Sequence, residues 1–220
     1  MLVPVVTERL DRYLQRMDAA YPDVLAGFYL VGSIALGDYR PGQSDIDFIA
    51  VIAEPLTSSE LAGIAAIHSE VSKVGAPALD GFYIEEKQVK QTPDPHFRRP
   101  CVHDDVLRLQ ACFEVNPVAW QIWRDHGVAL RGPASADLSL HLDPASIDRF
   151  ERDNLQGYWG EWIERHRRQE TPLNADQFGW VLATSARKPT PGHGRSIISR
   201  RDGIRRSKPP WRRDGVSCLR

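Results

Sequence analysis

The sequence predicts an α+β fold, with a mixed sheet and flanking helices in its N-terminal part and a mainly helical C-terminal part. Three patterns lead there. Residues 24–31 and 45–52 are short apolar, β-prone runs joined by a glycine-bearing connection; a helical stripe precedes them and another follows, leading into a further strand; and beyond residue 143 the apolar residues recur at helical spacing.

From Thr7 to Ala20 the residues Leu10, Tyr13, Leu14 and Met17 fall on one helical face, with Thr7 as the expected N-cap and Pro22 beyond the end. Val24 to Val31 is the first strand and stops at Gly32, while Asp45 to Ile52 is the second and follows the turn-rich Arg40-Pro41-Gly42-Gln43-Ser44. Ser58 to Val74 carries Leu61, Ile64, Ala65, Ile67, His68 and Val71 as a helical stripe, and Leu79 to Ile84 reads as the third strand. The core is therefore strand, strand, helix, strand. The segment KQVKQTPDPHFRRP, residues 87–100, holds three prolines and reads as a surface loop able to touch a ligand, through His96 and Phe97. Val115 to His126 is expected to be a helix after Asn116-Pro117, with Trp120 and Trp123 as core or domain-interface residues, and Val128 to Leu130 a short edge strand. Asp143 to Arg168 reads as a long helix opened by Asp143-Pro144, because proline suits the first helical position, and Ala175 to Ala186 continues as helix. A domain boundary is expected near Pro133 to Leu142, giving domains at 1–133 and 134–187.

Composition narrows the class. With 42% hydrophobic and 26% charged residues the chain is neither collagen, a coiled-coil rod nor a wholly disordered protein. Cys101, Cys112 and Cys218 cannot all pair and show no C-x-x-C spacing, so they read as thiols of a reducing compartment. No basic region precedes the first apolar residues, and no apolar run approaches the roughly 18 residues that span a bilayer. A cytosolic protein is expected. The net charge of −1 conceals an asymmetry: Arg187 to Arg220 holds 11 bases against two acids, which leaves residues 1–186 at −10.

The chemistry concentrates between Leu30 and Ile49. Asp45 and Asp47 stand two apart on a predicted strand, so both carboxylates face the same way, roughly 7 Å apart. Two converging anions repel each other unless a cation lies between them, and hard oxygen ligands suit Mg²⁺ carrying a nucleotide phosphate. Gly32-Ser33 sits where a strand turns into a helix start. There glycine admits a phosphate close to the backbone, and free N–H groups with the Ser33 hydroxyl can hold its oxygens.

An apolar strand, then Gly32-Ser33, then Asp45-Ile46-Asp47 opening a second strand resembles the polymerase-β-like nucleotidyltransferase superfamily. Within it the chain is similar to the aminoglycoside adenylyltransferases that inactivate streptomycin and spectinomycin. The resemblance implies a third carboxylate on a later strand, which Asp80 supplies in Ala78-Leu79-Asp80-Gly81-Phe82, as general base or further metal ligand. It also implies ATP as co-substrate, Mg²⁺ as cofactor, and transfer of AMP to a hydroxyl of a small cationic substrate with loss of pyrophosphate. The acidic body suits a polycationic acceptor. Asp125 to Pro133 is similar to the family's junction before its helical domain, and Trp180 to Arg187 to a helix of that domain.

After Arg187 the pattern breaks into KPTPGHGRSIISRRDGIRRSKPPWRRDGVSCLR, where family members continue with more helices, so the helical domain reads as truncated. Two explanations stand. Residues 188–220 are a basic disordered arm that binds RNA, DNA or an acidic partner, or they are read in a shifted frame, since out-of-frame GC-rich DNA gives Arg, Pro, Gly and Ser. The second leaves a truncated enzyme of weak or no activity. A non-catalytic alternative is a nucleotidyltransferase-fold protein acting as an antitoxin-like partner or as a nucleic-acid binder through its tail.

Overall fold

The computed structural model describes residues 2–75, 77–91 and 93–168. Helix α1 spans Pro4–Ala20. It starts three residues ahead of the expected Thr7 cap because Pro4, with its preset φ, takes the first turn; the Thr7 hydroxyl instead donates to the Val3 carbonyl at 3.4 Å. Strand β1 (Leu25–Leu30) follows, then the four-residue helix α2 (Gly32–Ala35) and strand β2 (Ile46–Ile52). Helix α3 (Ser58–Ser72) opens on a capping box: the Glu60 amide donates to Thr57 Oγ1 at 3.2 Å, and the Thr57 amide donates to Glu60 Oε2 at 2.7 Å. It delivers the chain to β3 (Leu79–Glu85), which lies parallel to β2.

Beyond the short helix α4 (Glu86–Val89), the expected loop at 87–100 gives way to a hairpin of β4 (Arg98–His103) and β5 (Val106–Ala111). Residues 98–100 of that segment are strand, and Pro100 is tolerated because β4 pairs with β3 only at Cys101 and Val102, leaving Pro100 opposite β5 alone. Helix α5 (Pro117–His126) is capped by Asn116, whose Oδ1 accepts the Ala119 amide at 2.9 Å, and β6 (Val128–Arg131) pairs with β1 as an edge strand. The sheet order is β5-β4-β3-β2-β1-β6, mixed as expected.

Both faces of the sheet are covered, which is why β2 is apolar almost throughout. Ile46, Phe48, Ala50 and Ile52 face Leu10, Tyr13 and Met17 of α1 and Ile64 and Val71 of α3; Ile49 and Val51 face Trp120 and Trp123 of α5. Under the first face runs a buried polar chain in which Tyr83 joins Tyr13 and, at 2.8 Å, His68 Nε2. Burial, aided by the Arg9 charge, pushes the His68 pKa down to about 3, and burial pushes both tyrosines up.

The chain divides into compact units at 1–152 and from 153 onward. The single helix expected from 143 to 168 is α6 (Pro144–Asn154), a π-helical turn (Leu155–Trp159) and α7 (Gly160–Arg168). The helix expected at 175–186, the Trp180 to Arg187 resemblance, Cys218 and the basic tail at 188–220 lie outside the described residues.

Candidate functional site

Side chains alternate along a strand, so Asp47 shares a face with Ile49 and Val51, and Asp80 with Phe82 and Ile84. The parallel register sets Asp47 directly beside Asp80 on neighbouring strands, which lie roughly 4.8 Å apart. Both carboxylates thus stand at the same end and on the same face of the sheet. Asp80 is 4% exposed, and its Oδ1 accepts the Asp104 amide at 2.5 Å. Asp45 is the residue just before β2; its charge, after burial, helps hold the Tyr39 phenol above its ordinary pKa.

The Gly32-Ser33 turn is built against this pair. The Val31 amide donates to the Asp47 carbonyl at 3.0 Å, which brings the end of β1 alongside the start of β2. Gly32 then takes φ +59°, in the left-handed region where only glycine is at ease, and a β-carbon there would overlap the Asp47 carboxylate. The next residue, Ser33, has a fully buried hydroxyl with no hydrogen-bond partner, an arrangement that costs about 1–3 kcal/mol until a ligand atom satisfies it. Ser33 keeps its backbone fixed meanwhile, its carbonyl accepting the Asp38 amide at 2.8 Å. The loop beyond closes on itself: Arg40 pairs with Asp38 at 3.2 Å and its amide donates to Ser44 Oγ at 3.1 Å.

Among the described residues no three His, Cys, Asp or Glu side chains gather into a set that would hold a metal ion alone. Mg²⁺ seldom asks for one, being held by one or two carboxylates together with phosphate oxygens and water. Asp47, with Asp45 just ahead of β2 and the unsatisfied Ser33 hydroxyl beside it, fits that arrangement.

Other residues fall elsewhere or come as additions. His96 and Phe97 precede β4 at the end opposite Asp80, about 20 Å away along a six-residue strand, so the structure does not bring them to the carboxylates. Sequence reasoning missed the β4–β5 turn, Asp104-Asp105, which supplies the amide bound to Asp80. The available signal was an acidic pair between two short runs, since Asp, like Asn and Gly, accepts the positive φ values of a two-residue hairpin. On β4, His103 Nδ1 lies 3.5 Å from Glu114 Oε1. The hollow lined by Thr7, Glu8, Asp11, Arg12 and Glu70 belongs to α1 and α3, away from the carboxylates.

The family described as "Nucleotidyltransferase domain" matches residues 10–94, a span that contains Gly32, Ser33, Asp45, Asp47 and Asp80. No curated protein matches the chain. Among solved structures, the chain is similar to the spectinomycin adenyltransferase AAD(9) from Enterococcus faecialis with ATP and spectinomycin, at 15% identity and TM-score 0.53, over 82% of this chain and 84% of that one. At that identity the likeness is one of fold. Slighter likenesses are to a toxin-antitoxin with AMP-PNP (15% identity, 70% of this chain and 95% of that one, TM-score 0.35) and to the tri-AMPylated Shewanella oneidensis HEPN toxin in complex with MNT antitoxin (14%, 72% and 96%, TM-score 0.32).

Proposed function

We propose that the protein, whose residues 10–94 match the nucleotidyltransferase-domain family, transfers AMP from ATP to a hydroxyl of a small cationic acceptor of the aminoglycoside class, releasing pyrophosphate. The observation that carries this reading is the register pair Asp47 and Asp80 beside a glycine turn whose buried Ser33 hydroxyl lacks a partner. Gly32 and Ser33 receive the phosphates: the missing β-carbon leaves room beside Asp47, and the hydroxyl donates to a phosphate oxygen. Asp45 and Asp47 hold Mg²⁺, which when bound supplies positive charge against the phosphates. Asp80, its carboxylate fixed by the Asp104 amide, draws the proton from the acceptor hydroxyl as that oxygen attacks the α-phosphorus in line with departing pyrophosphate.

The choice of acceptor rests on charge, because residues 1–186 carry −10 and a polycation is drawn to an acidic body. The fold neighbour solved with spectinomycin supports the same choice. We place the domains at 1–133 and 134–187 and the protein in the cytoplasm; no helix among the described residues is long and apolar enough to cross a membrane.

Pyrophosphate release from Mg²⁺-ATP, measured in parallel with streptomycin, spectinomycin and kanamycin, tests the proposal. Release that depends on one of these acceptors and vanishes in Asp47→Asn is expected. A folded protein that binds Mg²⁺-ATP but releases no pyrophosphate with any of them refutes the acceptor class.

A further inference from the structure

The far face of the sheet holds a charged pair that the site does not use directly. Arg9 of α1 is 4% exposed and Asp105 is 8% exposed, and Arg9 Nη2 lies 2.7 Å from Asp105 Oδ1. The pairing is one of charge more than of hydrogen-bond alignment. A second Arg9 nitrogen, Nη1, donates to the Val71 carbonyl in the last turn of α3. Two ions are rarely taken out of water together unless the surroundings fix them, and a guanidinium held from two directions is a rigid anchor.

What the anchor holds is the β4–β5 turn. His103 pairs with Val106, so Asp104 and Asp105 alone make the loop, and both have positive φ, +51° and +64°, as a tight hairpin turn requires. Asn-Gly would make this turn with less strain, but neither residue brings a carboxylate to Arg9. Asp105 also clamps the start of β3: its Oδ1 accepts the Leu79 amide at 3.0 Å, and its own amide donates to the Leu79 carbonyl at 3.1 Å. Leu79 is the residue before Asp80, and the other turn residue, Asp104, gives its amide to the Asp80 carboxylate. Backbone and side chain of Asp80 are therefore both set by one two-residue turn, whose own position is set by Arg9.

We propose that Arg9 and Asp105 are positioning residues for Asp80, acting through the β4–β5 turn. The proposal rests on the reading that Asp80 handles the acceptor proton. A carboxylate displaced by about 1 Å loses as much as 10²-fold in rate without any change in what binds.

The test replaces the pair as a unit, Arg9→Met with Asp105→Asn, so that no charge is left buried alone. Pyrophosphate release and backbone amide hydrogen exchange are measured for the wild type, this double variant, Asp80→Asn, and all three substitutions together. The double variant is expected to lose roughly 10- to 100-fold in kcat with KM for ATP within about twofold of wild type. Its Asp104 amide should lose protection while Gly81 and Phe82, within the β3–β4 ladder, keep theirs. On the Asp80→Asn background the pair should cost no more than about two- to threefold further, since it acts through the carboxylate already removed. Retained Asp104 protection with unchanged kcat, or a loss that multiplies fully with that of Asp80→Asn, overturns the proposal. If the Asp80→Asn protein itself turns over at the wild-type rate, the role given to Asp80 fails instead, and the exchange data still report whether Arg9 and Asp105 hold the turn. Should the double variant not fold, Arg9→Lys, which keeps the charge but not the forked geometry, is read by the same two measurements against the same criteria.

Discussion

Gly32→Ala strikes the site at the point where backbone and carboxylate meet. Two separate costs follow from the structure. A side chain at φ +59° pays roughly 1–2 kcal/mol for the left-handed conformation. The new β-carbon would also overlap the Asp47 carboxylate down to its Cβ, so Asp47 must leave its rotamer, at about 0.5–1.5 kcal/mol, and β1 must also shift from β2, which makes the sum a lower bound. Together these predict a loss of at least roughly 1.5–3.5 kcal/mol and a Tm lower by about 7 °C or more for a domain of this size. The effect on turnover should be larger, at least about 10²-fold, because the displaced group is the proposed metal ligand. Gly37→Ala is the matched control: its φ of +70° carries the same backbone cost, but nothing lies within 4 Å of the added carbon. Calorimetry and acceptor-dependent pyrophosphate release on both variants separate the terms. Equal losses of activity in the two, or a Gly32→Ala protein as active as wild type, would refute the claim that Gly32 is there to leave room for Asp47.

Asp45→Asn and Asp47→Asn should each abolish Mg²⁺-dependent turnover with little change in Tm, as measured by pyrophosphate release and thermal unfolding; wild-type turnover in both would remove the two-carboxylate reading. Asp80→Asn should lower kcat by on the order of 10²- to 10⁴-fold with ATP binding intact by calorimetry, whereas a loss confined to ATP affinity would make Asp80 a metal ligand. His68 provides a pH test. Its pKa is about 3 in the folded protein against an ordinary 6.5, so the unfolded chain takes up more protons between those values, and stability must fall as pH drops from 6.5 toward 3. In His68→Gln that fall in Tm should be visibly shallower, and identical Tm–pH curves would contradict the buried neutral imidazole.

How much of this was legible follows from what each segment buries. The strands around Gly32 and Asp47 declared themselves because β2 is covered on both faces, leaving a run of apolar residues in which two aspartates stand out. Register made the rest of the site: no spacing in the sequence says that Asp80 lies beside Asp47 rather than one residue off, a slip that would turn it to the opposite face. The β4–β5 hairpin stayed hidden because Arg98, Arg99 and Pro100 read as a loop, and because β5, an edge strand, exposes Val106 and Leu109 instead of alternating cleanly. In the helical part the apolar stripe from 143 to 168 was readable, but a single π-helical turn at 155–159 carries no residue signature of its own, and it leaves Leu155 of that stripe exposed. Thr7 misled as a cap because a threonine hydroxyl can bond to a carbonyl four residues back within a helix.

The order in which the strands leave the ribosome differs from their order in the sheet. β1, β2 and β3 are neighbours in both, so the glycine turn and the three aspartates are all synthesised by Glu85, whereas the β4–β5 turn that secures Asp80 comes about twenty residues later and β6 must return to pair Val128 with Leu30, 98 positions upstream. Such distant closures pay their loop entropy before any contact rewards them, and they set the pace of folding. A nascent chain therefore presents the acidic strand ends, crowded and not yet braced, for the time needed to make a further forty to fifty residues, roughly 2–10 s at ordinary elongation rates.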